Sequence, residues 1–394
     1  MNKLSTQSSK RIDVADVLRG VAVFGIILLH CIEHFNFYSF PDTSDQGLLL
    51  NFTDKAIWNG MFFTFGGKAY AIFALLFGFS FYIQDRNQTL RGSDFRLRFC
   101  WRLVLLFVLG NINAIFFTGE VLVLYSIVGF ILPLTCRLDD KKLFILAALL
   151  LIQPLHIIYT FISIVDPEFV VPSFNTRMFW KAANEMQAGG NFWQMATVNL
   201  WEGQLASLAW AWDNARFFQS AALFIFGFLV GRRGLFLAEK LTFWYKAIAY
   251  AALCFFPLYG LTGMMTPTFI PNHSIQVSLK LIINSLSNFS FMVILVSAIV
   301  ITYYNSEKLR GWFTKIIPYG RLSLTNYLTQ SIVGAFIFYN WGLGLYEKLG
   351  ITYSFLVGAG LFVIQFTLCK LWLSKFSQGP FEYLWKRATW IKFR

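Results

Sequence analysis

Ten long apolar runs constrain this chain more than any other feature. Lipid offers no hydrogen-bond partners, so a crossing segment must satisfy its own backbone, as a helix or within a closed barrel. A helix needs about 20 apolar residues to cover roughly 30 Å of hydrocarbon. Barrel strands would be short and alternating, whereas these runs are long and continuous. They cover residues 17–38, 57–83, 99–117, 121–136, 143–164, 214–231, 243–264, 278–303, 322–341 and 351–373. The fourth is short and should form a tight helical hairpin with the third, turning near Thr118-Gly119-Glu120. Composition agrees: 13% of residues are charged, against roughly 25% in a soluble domain. The expected fold is an all-α, polytopic bundle of about ten transmembrane helices. There is no long polar linker, internal repeat or low-complexity tract, so residues 1–394 read as one bundle. Five spans fall in 1–165, an outer loop in 166–213, and five spans with a tail in 214–394.

The net charge of +13 is a question of placement. Grouping Lys and Arg by the side on which alternating spans leave them gives 26 on one side, from Lys3, Lys10, Arg11 and Arg19 through to Lys392 and Arg394. The other side holds 5: Lys55, Arg177, Lys181, Arg216 and Lys348. Positive charge stays in the cytoplasm, so both termini are expected there. No basic stripe is interleaved with an aromatic sheet pattern, which argues against nucleic acid. The five cysteines form no Cys-x-x-Cys pair, so neither a disulfide framework nor a metal site is expected. The first run follows a polar stretch and lacks a small-residue cleavage site, so it reads as a span rather than a signal peptide. The 166–213 loop carries Trp180, Trp193, Trp201, Trp210 and Trp212. It should form short interfacial helices capping the bundle, with its Trp residues either anchoring at the lipid surface or touching substrate.

Ionisable groups at membrane depth are costly and mark candidate sites. Arg19 and His30 stand eleven residues apart on the first run, close to three helical turns and about 16 Å at 1.5 Å per residue. They share a face, and Glu33 and His34 continue it. A neutral His can act as general base, a carboxylate one turn away can fix its tautomer, and Arg19 can hold a phosphate or carboxylate from a cytosolic donor. A buried His satisfied by a neighbouring helix is the alternative. Lys68, in Gly66-Gly67-Lys68-Ala69-Tyr70, either pairs with Glu33 or Glu120 or snorkels to the interface. Asn113 and Glu120 bracket the hairpin. Asn326 and Gln330 lie on a polar face opening the ninth run, where such residues line a site or bond helices together.

These residues carry a resemblance. The chain resembles the bacterial integral-membrane family called domain of unknown function 418, the YeiB-like proteins. The likeness runs through Asp16 to Ile27, Lys68 to Phe79, the Gly119-Glu120-Val121-Leu122 hairpin, Leu324-Thr-Asn-Tyr-Leu328 and Gln378-Gly-Pro-Phe-Glu-Tyr-Leu-Trp385. That family resembles a wider group of transmembrane acyltransferases, including the acyltransferase 3 proteins and lysosomal heparan glucosaminide acetyltransferase. Acyltransferase 3 proteins carry an Arg, ten residues and an essential His in their first span, and Arg19 and His30 repeat that spacing. Family members often have Asn at the position of His30, His at that of Asn113 and Asp at that of Glu120.

The resemblance implies an acyltransferase of the bacterial inner membrane. Acyl-CoA, such as acetyl-CoA, would be co-substrate, with no tightly bound cofactor. The donor would enter near Arg19, Arg98 and Arg102. His30, supported by Glu33, would activate a hydroxyl or amine on a small-molecule, glycan or lipid acceptor at the outer side. His34, Lys68, Tyr70, Asn113, Glu120, Asn326 and Gln330 are candidate lining residues. Membrane lipids are expected partners, and self-association is compatible with this reading. Two other classes stand beside it. One is a transporter or flippase of a lipid-linked or small anionic molecule, for which Gly66-Gly67 would be a helix break. The other is a non-catalytic scaffold or receptor using the Trp-rich loop.

Overall fold

Lipid forces the backbone into helices, and the helices gather around the first of them. The computed structural model describes residues 12–42 and 46–391. Lys3, Lys10, Arg11, Lys392 and Arg394, used above to orient the chain, lie outside the described residues. Helix α1 (Asp13–Ile32) is built of Val, Leu, Ile, Ala and Gly on all sides. A helix apolar all round belongs inside, and Val14, Val17, Leu18, Ala22, Val23 and Ile27 have no exposed surface. Around it pack α3 (Ala69–Thr89), α15 (Glu307–Arg321), α16 (Ser323–Phe338) and α17 (Ile351–Lys375).

Close approach depends on glycine. In lipid, helices associate through packing of small residues rather than through expulsion of water. Gly78 on α3 and Gly227 on α12 (Arg216–Arg232) meet reciprocally: a Cβ on Gly78 would overlap the Phe224 carbonyl, and one on Gly227 the Leu75 carbonyl. Gly320 on α15 abuts the Asp16 carbonyl of α1 in the same way. At the periphery, α13 (Leu241–Met264) and α14 (His273–Asn305) form a long hairpin. The outer face of α13, with Tyr250, Leu253 and Phe256, stays uncovered as a lipid-facing helix does.

This is a multi-pass helical membrane protein, and all ten expected runs are helical. Among the described residues, six helices are long and apolar enough to cross a membrane, or eight if each of two bent pairs counts as one span. The remaining two runs are shorter. The fourth is split into α5 (Leu122–Val128) and α6 (Ile131–Thr135), and the ninth is α16. Several boundaries differ for local reasons. The second run begins earlier, as α2 (Leu48–Thr64), and breaks before α3 at a turn where Gly67 has φ +71°. The fifth divides into α7 (Asp140–Leu151) and α8 (Pro154–Val165), bent by 48°. There Gln153 is left-handed and Pro154 cannot continue the preceding helix.

The 166–213 loop folds into α9 (Thr176–Gly189), α10 (Phe192–Val198), a π-helical turn (Asn199–Gly203) and α11 (Gln204–Asp213). This cap is bolted to the α4–α5 hairpin, where α4 is Arg96–Ala114. Buried Gln187 donates to Asn199 at 2.9 Å, Asn199 donates to the Ile115 carbonyl at 3.0 Å, and Ser207 donates to the Glu120 carbonyl at 3.1 Å. Trp193 and Trp201 project outward.

The α3–α12 crossing should tolerate no added atom. Gly227→Ala is expected to lower stability by about 1–3 kcal/mol, read as a drop in melting temperature of the purified protein. Gly360→Ala, where nothing lies within 4 Å, should be neutral.

Candidate functional site

Helix α1 stops at Ile32, short of the expected Tyr38, and the chain turns tightly over residues 33–38. Phe37 and Tyr38 sit at φ 54° and 57°, values that bulky residues rarely adopt. The turn folds His34 back over His30, with ring centroids 5.5 Å apart. The His30 ring lies against Phe117 at 4.4 Å. Its Nδ1 is buried and has no hydrogen-bond partner.

Glu33 does not support His30. Its Oε1 lies 2.7 Å from Nδ1 of His34, off the line of a hydrogen bond, and its Oε2 accepts from Tyr38 at 3.2 Å. The cause is the early end of α1: once the helix stops, the spacing that would stack Glu33 over His30 no longer holds.

Glu120 comes to the same place from the α4–α5 hairpin. It is 2% exposed. One carboxylate oxygen accepts from the Asn113 amide and the other from the Leu122 N–H. Asn113 therefore stands behind Glu120 rather than in the cavity. Gly119 is required beside it, because a Cβ there would fall 2.8 Å from the His34 ring and closer still to Phe117.

His30, Glu33, His34, Glu120 and Tyr70 line one cavity of about 490 Å³, roofed by Trp180 on α9 and Trp210 on α11. This is within the usual range for a small-molecule site, about 300–1,000 Å³. Arg216 joins them. It is the first residue of α12, where α12 leaves the cap at a 75° bend with Ala215 left-handed. Its guanidinium donates to Tyr70 Oη at 2.6 Å and Gln219 Oε1 at 2.9 Å, and lies over the Tyr70 ring at 4.6 Å. In sequence Arg216 reads only as a charge flanking a span; its role appears once the bend and the cap are seen together.

Besides Asn113, three further expected lining residues lie elsewhere. Lys68 turns away from Glu33 and Glu120: it donates to the Phe62 carbonyl at 3.4 Å and sits 5.5 Å from the Phe291 ring. The break before α3 aims it there. Asn326 bonds helices together, donating to the Tyr319 carbonyl at 2.9 Å and accepting from Cys369 at 3.3 Å. Gln330 is fully buried and lines neither this cavity nor the next.

A second cavity, of about 230 Å³, lies at the Arg19 end of α1. Arg19 is held by Asp16 at 2.6 Å and donates to Ser80 at 2.7 Å. Arg102 lines the same space, stacked on Trp385 at 3.6 Å. Arg98 does not. It donates to the carbonyls of Thr389 and Ile391, at 3.0 and 2.9 Å, which closes the end of α18 (Pro380–Thr389). At the start of α4, the Arg96 guanidinium bonds the exposed Asp94 of the preceding loop and holds its carboxyl down at about 2.

Helix α18 also explains why two sequence signatures occur together. Glu382 accepts from the N–H groups of Leu324 and Thr325, at 2.9 and 3.0 Å, and so caps α16, which has no side-chain cap of its own. Leu324 to Leu328 and Gln378 to Trp385 are two halves of one joint.

Tyr327, in the first of those halves, borders both cavities. Tyr125 lines the Arg19 cavity and donates to the backbone carbonyl of Tyr70, which lines the other, at 2.7 Å. The two spaces thus lie at opposite ends of α1 with a tyrosine partition between them.

Residues 230–392 match the family model "Protein of unknown function (DUF418)". The chain is 27% identical to "Uncharacterized protein YxaH" of Bacillus subtilis (strain 168), over 99% of this chain and 96% of that protein. It is 23% identical to "Uncharacterized 39.9 kDa protein in amylase 3'region" of Bacillus acidopullulyticus, over 97% and 94%. "Uncharacterized protein YeiB" of Escherichia coli (strain K12) is 38% identical over 71 residues, 18% of each chain. No solved structure matches. The resemblance to the DUF418 family drawn from the signatures is matched over residues 230–392, and none of these matches bears on a relation to acyltransferases.

Removing the amide behind Glu120 would leave a buried carboxylate short of a donor. Asn113→Leu should cost about 1–3 kcal/mol, seen as a lower melting temperature. Asn113→His, which restores a donor, should recover most of the loss.

Proposed function

We propose that this chain, a multi-pass membrane protein whose residues 230–392 match the DUF418 family model, is an acyl-group transferase of the bacterial inner membrane. The observation that carries this reading is the pair of cavities at the two ends of α1, with Arg19 in one, His30 in the other and Tyr327 bordering both. In this reading the Arg19 end and both termini face the cytoplasm, as the bias of positive charge supports. The phosphates of an acyl-CoA donor meet Arg19 and Arg102, and the acyl group reaches toward Tyr327.

In the His30 cavity, neutral His30 takes the proton from a hydroxyl or amine acceptor. The acceptor atom attacks the thioester carbonyl, forming a C–O or C–N bond. The C–S bond breaks, and the thiol leaves with the proton that His30 returns. Tyr327 Oη accepts from the Val121 N–H at 3.4 Å, which leaves its own hydrogen for the developing oxyanion. Glu33 acts on His34 rather than on the base.

A specific observation also favours transport. Paired cavities and broken helices, such as the α2–α3 break, are features of carriers that alternate access. Movement of a substrate across liposomes without chemical change would select that reading.

The test is to feed radiolabelled acetyl-CoA to membrane vesicles that expose the Arg19 face and follow label into lipid and glycan fractions. His30→Ala, with its fold checked by melting temperature, should reduce labelling about 100-fold or more. Undiminished labelling would overturn the assignment.

A further inference from the structure

Arg216, the cation lining the His30 cavity, has no counter-charge among the described residues. Among the described residues no carboxylate lies within 4 Å of Arg216, whereas Arg19, at the opposite end of α1, is paired with Asp16. Among the described residues its hydrogen bonds run through Nη1 alone, to Tyr70 and Gln219, and leave Nε and Nη2 without a protein acceptor. The group is nonetheless held in place. Tyr70 also donates to Gln219, and Gln219 is anchored to the Ser285 carbonyl at 3.3 Å. The Tyr70 and Trp210 rings lie 4.6 and 5.5 Å from the guanidinium carbon.

The two carboxylates of the cavity are occupied elsewhere, Glu33 by His34 and Tyr38, and Glu120 by Asn113 and Leu122. Among the described residues Lys68 has no carboxylate within 4 Å either, and it donates to the Phe62 carbonyl instead. A cation left uncompensated at the edge of a membrane cavity is costly unless something else supplies the charge, and a fixed guanidinium edge matches a planar or tetrahedral oxyanion.

We propose that the cavity recognises an anionic acceptor. Its carboxylate or phosphate would seat on the Nε–Nη2 edge of Arg216, its body would lie along Trp180 and Trp210, and its hydroxyl or amine would reach His30. This deepens the transfer reading and rests on it for the role of His30; the anion site itself does not need transfer. The volume of about 490 Å³ accommodates one sugar with its charged group. The same chemistry could arrive on a soluble sugar acid or phosphate, or on an anionic lipid headgroup.

The test is calorimetric titration of protein in phosphatidylcholine nanodiscs with glucose, glucuronate and glucose 6-phosphate, in the absence of any acyl donor. A soluble source predicts that an anionic probe binds about tenfold or more tightly than glucose, that Arg216→Gln removes the preference and that Arg216→Lys keeps part of it. A lipid source predicts no soluble binding. Instead, hydrogen exchange across residues 204–216 slows in phosphatidylglycerol nanodiscs relative to phosphatidylcholine, and Arg216→Gln abolishes the difference. If the Gln variant does not fold, the Lys variant must weaken whichever response is seen, because it has lost the fork. Equal affinity for glucose and the anions, no response from either source, or a preference indifferent to Arg216 would each overturn the proposal. Since no transfer is read, a failure here leaves the His30 test standing, and the reverse holds too.

Discussion

Lipid supplies neither hydrogen bonds nor counter-ions, so every ionisable group on α1 and around it must be satisfied by the protein itself. Most are. At one end Arg19 is bonded to Asp16 and Ser80. At the other, Glu33 serves His34 and Tyr38, and Glu120 takes the amide of Asn113 and the N–H of Leu122. Among the described residues that line the His30 cavity, Nδ1 of His30, Nδ1 of His34 and the outer edge of Arg216 remain open. All three residues border one cavity. Polar capacity left unused in an otherwise well-satisfied region is what a site for a polar ligand requires.

The surrounding architecture holds these groups rather than merely burying them. The cap α9–α11 is joined to the α4–α5 hairpin by buried amides and brings Trp180 and Trp210 over His30. The bend at Ala215 delivers Arg216. At the far end, α18 caps α16 through Glu382 and stacks Trp385 on Arg102, so the chain terminus helps to shape the Arg19 cavity. Tyr327 lies on α16 between the two spaces, and its position depends on that same cap.

Much of the fold was legible in the sequence because hydropathy over 20 residues measures the property that lipid selects. The placement of His30 and Arg19 on one helix was legible as well, since a three-turn spacing needs only helical geometry. Side-chain direction near helix ends was not. Glu33 was expected on His30 by extending α1 beyond Ile32, and the turn at 33–38 cancels that register. Lys68 was expected among the carboxylates, but the break before α3 rotates it toward Phe291. Arg98 looked like Arg102 in a basic segment, yet it bonds the last carbonyls of α18, a partner 291 residues away in the chain. Arg216 carried no local signal and Tyr327 showed only as part of the Leu324–Leu328 signature, because their roles come from cavities assembled by helices distant in sequence.

If the two cavities serve one reaction across the Tyr327 partition, an acyl chain that enters beside Arg19 must come within reach of His30. The most direct measurement is photolabelling of the purified protein with an acyl-CoA carrying a diazirine at the end of its acyl chain, with the labelled residues mapped by mass spectrometry. Label is expected on α16 around Tyr327 and on α1 around His30, displaced by excess acetyl-CoA. Label confined to the lipid-facing surfaces of α13 and α17, or label that acetyl-CoA does not displace, would contradict one reaction across that partition.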